Sequence, residues 1–138
     1  GNNMNVLNGV MPAQIVSGVD LAVEQLGYMQ DTLQRSISSY ESHDIRTDKL
    51  SVMLNVPIYT AQKSLLAMEN VNALIDAKNL TKSIDVIYGV LFQLEEIKHC
   101  DMAKVEVMSL LNGLLFVVRD VRSTVSGISS ILKMGAAA

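Results

Sequence analysis

The sequence has no tryptophan, 4% aromatic residues and two prolines in 138 positions. Sheet proteins lean on aromatic and β-branched residues and on frequent turn punctuation, so this composition argues against an all-β domain. There is one cysteine, Cys100. A lone thiol excludes an internal disulfide and favours a reducing, intracellular setting. Charged residues make up 18% and the net charge is −3, against a usual charged share of about 25%. A nucleic-acid-binding domain normally presents a basic face, so nucleic acid is not expected as a partner. No basic segment followed by an apolar run opens the sequence, and no secretory signal is expected. Gly1 reads as a protease-cleavage remnant and residues 135–138 as a cloning scar, which would make the chain part of a longer protein.

What the sequence does have is apolar material. Hydrophobic residues reach 49%, with eight methionines. That is too apolar for a disordered segment and rich in helix formers. A chain of this length makes one domain, residues 1–138, able to bury about two thirds of its unfolded surface. About the first ten residues read as a flexible N-terminus.

Apolar spacing predicts five helices. The first starts at Met11-Pro12, proline suiting the opening of a helix, and runs to about Glu41. Ile15, Val19, Ala22, Leu26, Met29 and Leu33 alternate spacings of four and three, a heptad seam. Val16, Val23, Ile37 and Tyr40 share its face. Asp44 is placed to cap a short second helix carrying Ile45, Leu50, Val52 and Leu54, ended by Asn55-Val56-Pro57. A third helix runs from Pro57 to about Lys78 on a stripe of Ile58, Ala61, Leu65, Met68, Val71 and Ile75. Asn79-Leu80-Thr81 is the next break, with Thr81 as the cap. The fourth helix then buries Ile84, Val86, Ile87, Val90, Leu91, Leu94 and Ile97. Asp101 caps the last helix, which runs to about Lys133, with Gly135 as a stop signal.

Residues 109–121, SLLNGLLFVVRDV, pose the sharpest question: core, bilayer or partner. On a helical wheel Val107, Leu110, Leu111, Leu114, Val117, Val118, Val121, Val125, Ile128 and Leu132 form one stripe, the pattern of a core-facing helix. Met102, Val105 and Phe116 fall on nearly the opposite side. A bilayer span needs about 20 consecutive apolar residues, and Glu106, Arg119, Asp120 and Arg122 bracket too short a run. The polar face after Arg119 is Ser, Thr and Gly, where an interfacial helix would carry Lys and Arg. A membrane is therefore not expected.

Candidate chemistry is sparse. Glu96 and His99 have the Glu-x-x-His spacing of di-iron bundles, but that site needs a second copy and two further Glu. His43 has Glu41 at the wrong spacing, and Glu96 and His99 fall on the polar side of their helix. His99 and Cys100 are adjacent, about 100° apart on a helix, and cannot alone form a nucleophile–base pair. Asn112-Gly113 and Ser126-Gly127 interrupt a helical pattern, so they read as close helix packing and not as a phosphate loop. Asn72 sits within an apolar seam, where it either fixes register or oligomeric state or reaches solvent at the seam's edge.

The expected fold is an all-α antiparallel bundle of four main helices plus one short connecting helix. The outer helices would be about 45–50 Å long and the middle two about 30 Å, so part of the long helices is left for a partner to cover. The expected function is protein–protein interaction, as a scaffold, assembly or adaptor module acting with a protein partner or as a homo-oligomer. A larger microbial or viral protein is one setting for it. No enzymatic activity, cofactor or metal is expected. The partner-binding candidates are Leu21 and Tyr28, seven apart and remote from the first helix's seam, with Met102, Val105 and Phe116. The competing readings are a bundle holding a lipid or small molecule in an apolar cavity, and a membrane-active toxin or translocator.

Overall fold

A computed structural model describes residues 11–43 and 47–137. The helices are α1 (Met11–Ser42), α2 (Thr47–Met53), α3 (Asn55–Ile75), α4 (Lys78–Lys98) and α5 (Lys104–Ala137). The described residues are 92% helical, with no strand among them. It is the all-α bundle of four main helices and a short one that the apolar periods require. Asp44, Ile45 and the first ten positions lie outside the described residues.

α1 packs against α3 on one side and α5 on the other, and α4 closes the ring between them. Gly18 meets Val71 while Thr32 reaches Thr60, so α1 and α3 run antiparallel. Asp20 meets Ser129 while Gln34 meets Arg119, so α1 and α5 do too. At 1.5 Å per residue the 32 residues of α1 and 34 of α5 span about 50 Å, against about 30 Å for the 21 residues each of α3 and α4. α2, touching α1, α3 and α4, takes up part of that difference.

The α1 seam is buried as its spacing demands, from Ile15 through Leu26 and Leu33 to Tyr40. On α5 the stripe differs at two positions: Leu110 is exposed, and Leu115 is buried in its place. A heptad-spaced stripe drifts about 20° per heptad on an ideal wheel. One averaged wheel over 34 residues therefore misplaces the edge residues of the first half.

Several helix boundaries also move. α3 begins at Asn55, with Pro57 inside its first turn, where a missing N–H costs nothing. Leu54 keeps helical angles (φ −72°, ψ −13°), so α2 passes into α3 with little interruption. Pro57 cannot donate to the Met53 carbonyl one turn back, and Ser36 Oγ of α1 donates to it instead at 3.4 Å. α3 ends at Ile75, not Lys78, because Asp76 turns left-handed at φ 46°.

Asn72 then organises the turn. Its Oδ1 accepts from the Ala77 N–H at 3.0 Å, and its Nδ2 donates to Thr81 Oγ1 at 2.9 Å. Thr81 therefore lies within α4 as the partner of Asn72, and does not cap it. Half-buried at the edge of its seam, Asn72 spends its amide on an internal turn.

α5 begins at Lys104, and Met102 sits in the connection before it, packed against the core. At the other end α5 continues past Lys133 and Gly135. The glycines invert expectation as well. A Cβ on Gly113 or Gly127 would meet nothing within 4 Å, so neither serves close packing. Gly18 does: a Cβ there would stand 3.1 Å from Val71 Cγ2 of α3.

Candidate interaction surface

The two edges of α1 are built differently. Along the α5 edge, polar side chains tie the helices together. Arg119 donates to Gln34 Oε1 at 2.8 Å and Arg122 to Gln30 Oε1 at 3.2 Å, the Arg122 guanidinium lying over Gly27. Farther along, Asp20 accepts from Ser129 at 2.5 Å and pairs with Lys133 at 3.1 Å. The Ser129 bond first, and Lys133 second, hold the Asp20 carboxyl below its ordinary value.

The α3 edge has no such lacing on its rim. Thr32 and Thr60 share a hydrogen bond at 3.2 Å on the floor of an open groove of about 610 Å³. Tyr28 and Asp31 stand on its α1 wall, with Tyr59 and Lys63 on its α3 wall. Lys63 Nζ lies 5.3 Å from the Tyr59 ring centroid, a cation–π contact. Tyr28 donates to Glu24 at 2.7 Å, and that bond raises its phenol above the ordinary value, so it remains a donor at neutral pH.

Beyond the groove lies a row that sequence reasoning missed. Val52, Val56, Tyr59 and Leu66 are all more than half exposed, and Leu74 is 40% exposed. The signal was present. α3 carries only Lys63 and Glu69 as charges in 21 residues, and its apolar residues surround it instead of keeping to one face. A helix apolar all round normally has neighbours all round. Here the inner side has them and the outer side does not.

Of the five residues picked from sequence, Leu21 and Tyr28 are exposed on α1, Tyr28 across the groove from Tyr59. Val105 and Phe116 are exposed on the outer face of α5, at 76% and 70%, so Phe116 makes no second internal core. Exposed Ser109, Asn112, Gly113 and Asp120 separate them, and no large apolar row forms. Met102 does not join them, being half-buried in the connection.

No family model, curated protein or solved structure matches this chain. Its chemistry must be read from its own side chains. Glu96 and His99 are both exposed at the end of α4, and His99 closes that helix with its backbone N–H on the Glu96 carbonyl. His43 Nδ1 lies 3.0 Å from the Ser39 carbonyl. Cys100 is half-buried near Tyr40, whose phenol is raised mainly by burial and secondarily by that thiol. Among the described residues no group of three or more His, Cys, Asp or Glu is placed to hold a metal ion, and no helix is long and apolar enough to cross a membrane.

Proposed function

We propose that this chain is a non-enzymatic protein-interaction module, a helical scaffold or assembly unit that docks through the α1–α3 edge. The observation that carries the reading is the set of outward apolar residues of α3, with Tyr28 of α1 across the groove from Tyr59. Scattered exposed apolar residues are ordinary, whereas several on one helix face, interrupted by Lys63 and Asn70, beside a groove walled by two tyrosines match the composition of an interface, where tyrosines concentrate binding energy. Phe116 and Val105 form a lesser second contact.

A photo-reactive phenylalanine analogue in place of Tyr59 tests this in the source cell's extract, with the same analogue at Asp85 as the control. Asp85 is exposed on α4. Covalent adducts from position 59, to another chain or to a second copy, and few from position 85, are expected. Equal yields at both positions, or none at 59, would remove the basis for the docking edge.

The groove itself favours one other reading, a small amphipathic ligand held between Tyr28 and Tyr59. Its volume falls within the range of about 300–1,000 Å³ usual for ligand sites. It is open to solvent and not enclosed, with Gln25, Asp31, Thr32, Thr60 and Lys63 placed beside the two tyrosines. That setting suits a partner's side chain better than an enclosed lipid.

A further inference from the structure

We propose that α2 is a flap that opens while the rest of the bundle stays folded, its release ending at Pro57. The proposal needs no partner and stands apart from the docking edge. α2 is seven residues, TDKLSVM, well below the roughly 12–15 at which a helix begins to hold by itself in water. Thr47, Asp48, Ser51 and Val52 are also weak helix formers. Its helicity is therefore imposed by what it packs against.

The buried anchoring is slight. Among the described side chains of α2, Leu50 alone is fully buried, Ser51 and Met53 are half-buried, and Val52 is 67% exposed. From α1, Ser36 Oγ reaches the Met53 carbonyl at 3.4 Å, the long end of hydrogen-bond range. α3, directly after it, buries Ile58, Ala61, Leu65, Met68 and Val71.

The junction confines the release. Leu54 donates to the Leu50 carbonyl at 2.9 Å, and Ile58 to the Leu54 carbonyl at 3.0 Å. Between them Pro57 has no N–H, so the ladder lacks the rung to Met53. α3 needs nothing from α2 to begin, since proline is tolerated in a helix's first turn. Leu54, wholly buried, pins that start to the core. Opening therefore gives up α2's own short ladder, the Ser36 bond and the burial of Leu50, and does not run on into α3. It bares Leu50 and the core beneath it, next in the chain to exposed Val56 and Tyr59, so the flap enlarges the chain's apolar surface.

Native-state hydrogen exchange of the intact chain at low denaturant tests this. The amides of Val52, Met53 and Leu54 should exchange through an opening about a hundredfold more populated than that of Leu26, and nearly insensitive to denaturant. Leu65, in α3, should stay with Leu26. Ser36→Ala should raise the α2 opening about threefold. Pro57→Ala, which gives the Met53 carbonyl a backbone donor, should lower it by about the same factor. α2 amides that exchange together with Leu26 at every denaturant concentration overturn the flap, as does a Leu65 amide that opens with α2. An opening left unchanged by either substitution overturns its placing at this junction.

Discussion

α1 has two long edges that differ in what finishes them. Toward α5 the rim is closed by the chain's own polar groups, Gln34 on Arg119, Gln30 on Arg122, and Asp20 on Ser129 and Lys133. Toward α3, Gly18 lies close against Val71, yet the rim is tyrosine and aliphatic carbon open to water. Both edges cover the same core. Burial therefore fixes which helices touch, and the rim composition decides whether an edge is finished or left for another chain. A closed rim satisfies donors locally and offers a partner little apolar area. An open rim leaves apolar area that is recovered only on association.

The largest effect should come from beneath both edges. Leu26 is fully buried on the α1 seam, and Leu26→Ala should cost about 2–5 kcal/mol in denaturant unfolding. A smaller loss would mean that the shared core is looser than its burial implies.

Gly18→Ala sharpens the α3 side. The added methyl meets Val71 at 3.1 Å, so overpacking should cost about 1–3 kcal/mol despite the gain in helix propensity. Gly113→Ala, with open space around it, should instead stabilise by about 0.5–1 kcal/mol. Melting temperatures moving in the same direction for both would contradict the close approach.

On the α5 side, Arg122→Ala removes the bond to Gln30 and the cover over Gly27, and a loss of about 1 kcal/mol is expected. An unchanged unfolding midpoint would show that the polar rim is ornamental.

The smallest effect is electrostatic. Asp20 is held below the ordinary carboxyl value of 3.8 by Ser129 and Lys133. A depressed folded value gives stability that is present above 3.8 and lost as pH falls through the lower folded value. Asp20→Asn should therefore flatten the acid limb of the stability profile below about pH 4, and leave the slope above it unchanged. Because the group is largely exposed, the difference should fade in high salt.

Much of this was legible before any coordinates. The α1 seam is a strict four–three alternation, and every member is buried. The helix ends were harder, because side chains far along the sequence set them. Asn72 reaches Ala77 and Thr81 only once Asp76 has turned left-handed, and nothing in Asn79-Leu80-Thr81 announces that. Asp101 as a cap would start the last helix at Met102, whereas α5 starts two residues later, at Lys104. The outward row of α3 was overlooked for another reason. The stripe of Ile58, Leu65 and Met68 accounts for the inner face of α3, and Tyr59 and Leu66, one residue on from Ile58 and Leu65, are turned to its other side.

Chemical-shift mapping of the intact chain, alone over a dilution series and then in the source cell's extract, tests most directly whether the α3 edge is the open one. Shifts that depend on concentration or on the extract are expected at Tyr28, Val56, Tyr59 and Leu66, with Arg119, Arg122 and Ser129 stationary. Shifts gathered instead along the α5 edge or around Phe116, with the α3 row unmoved, would contradict it.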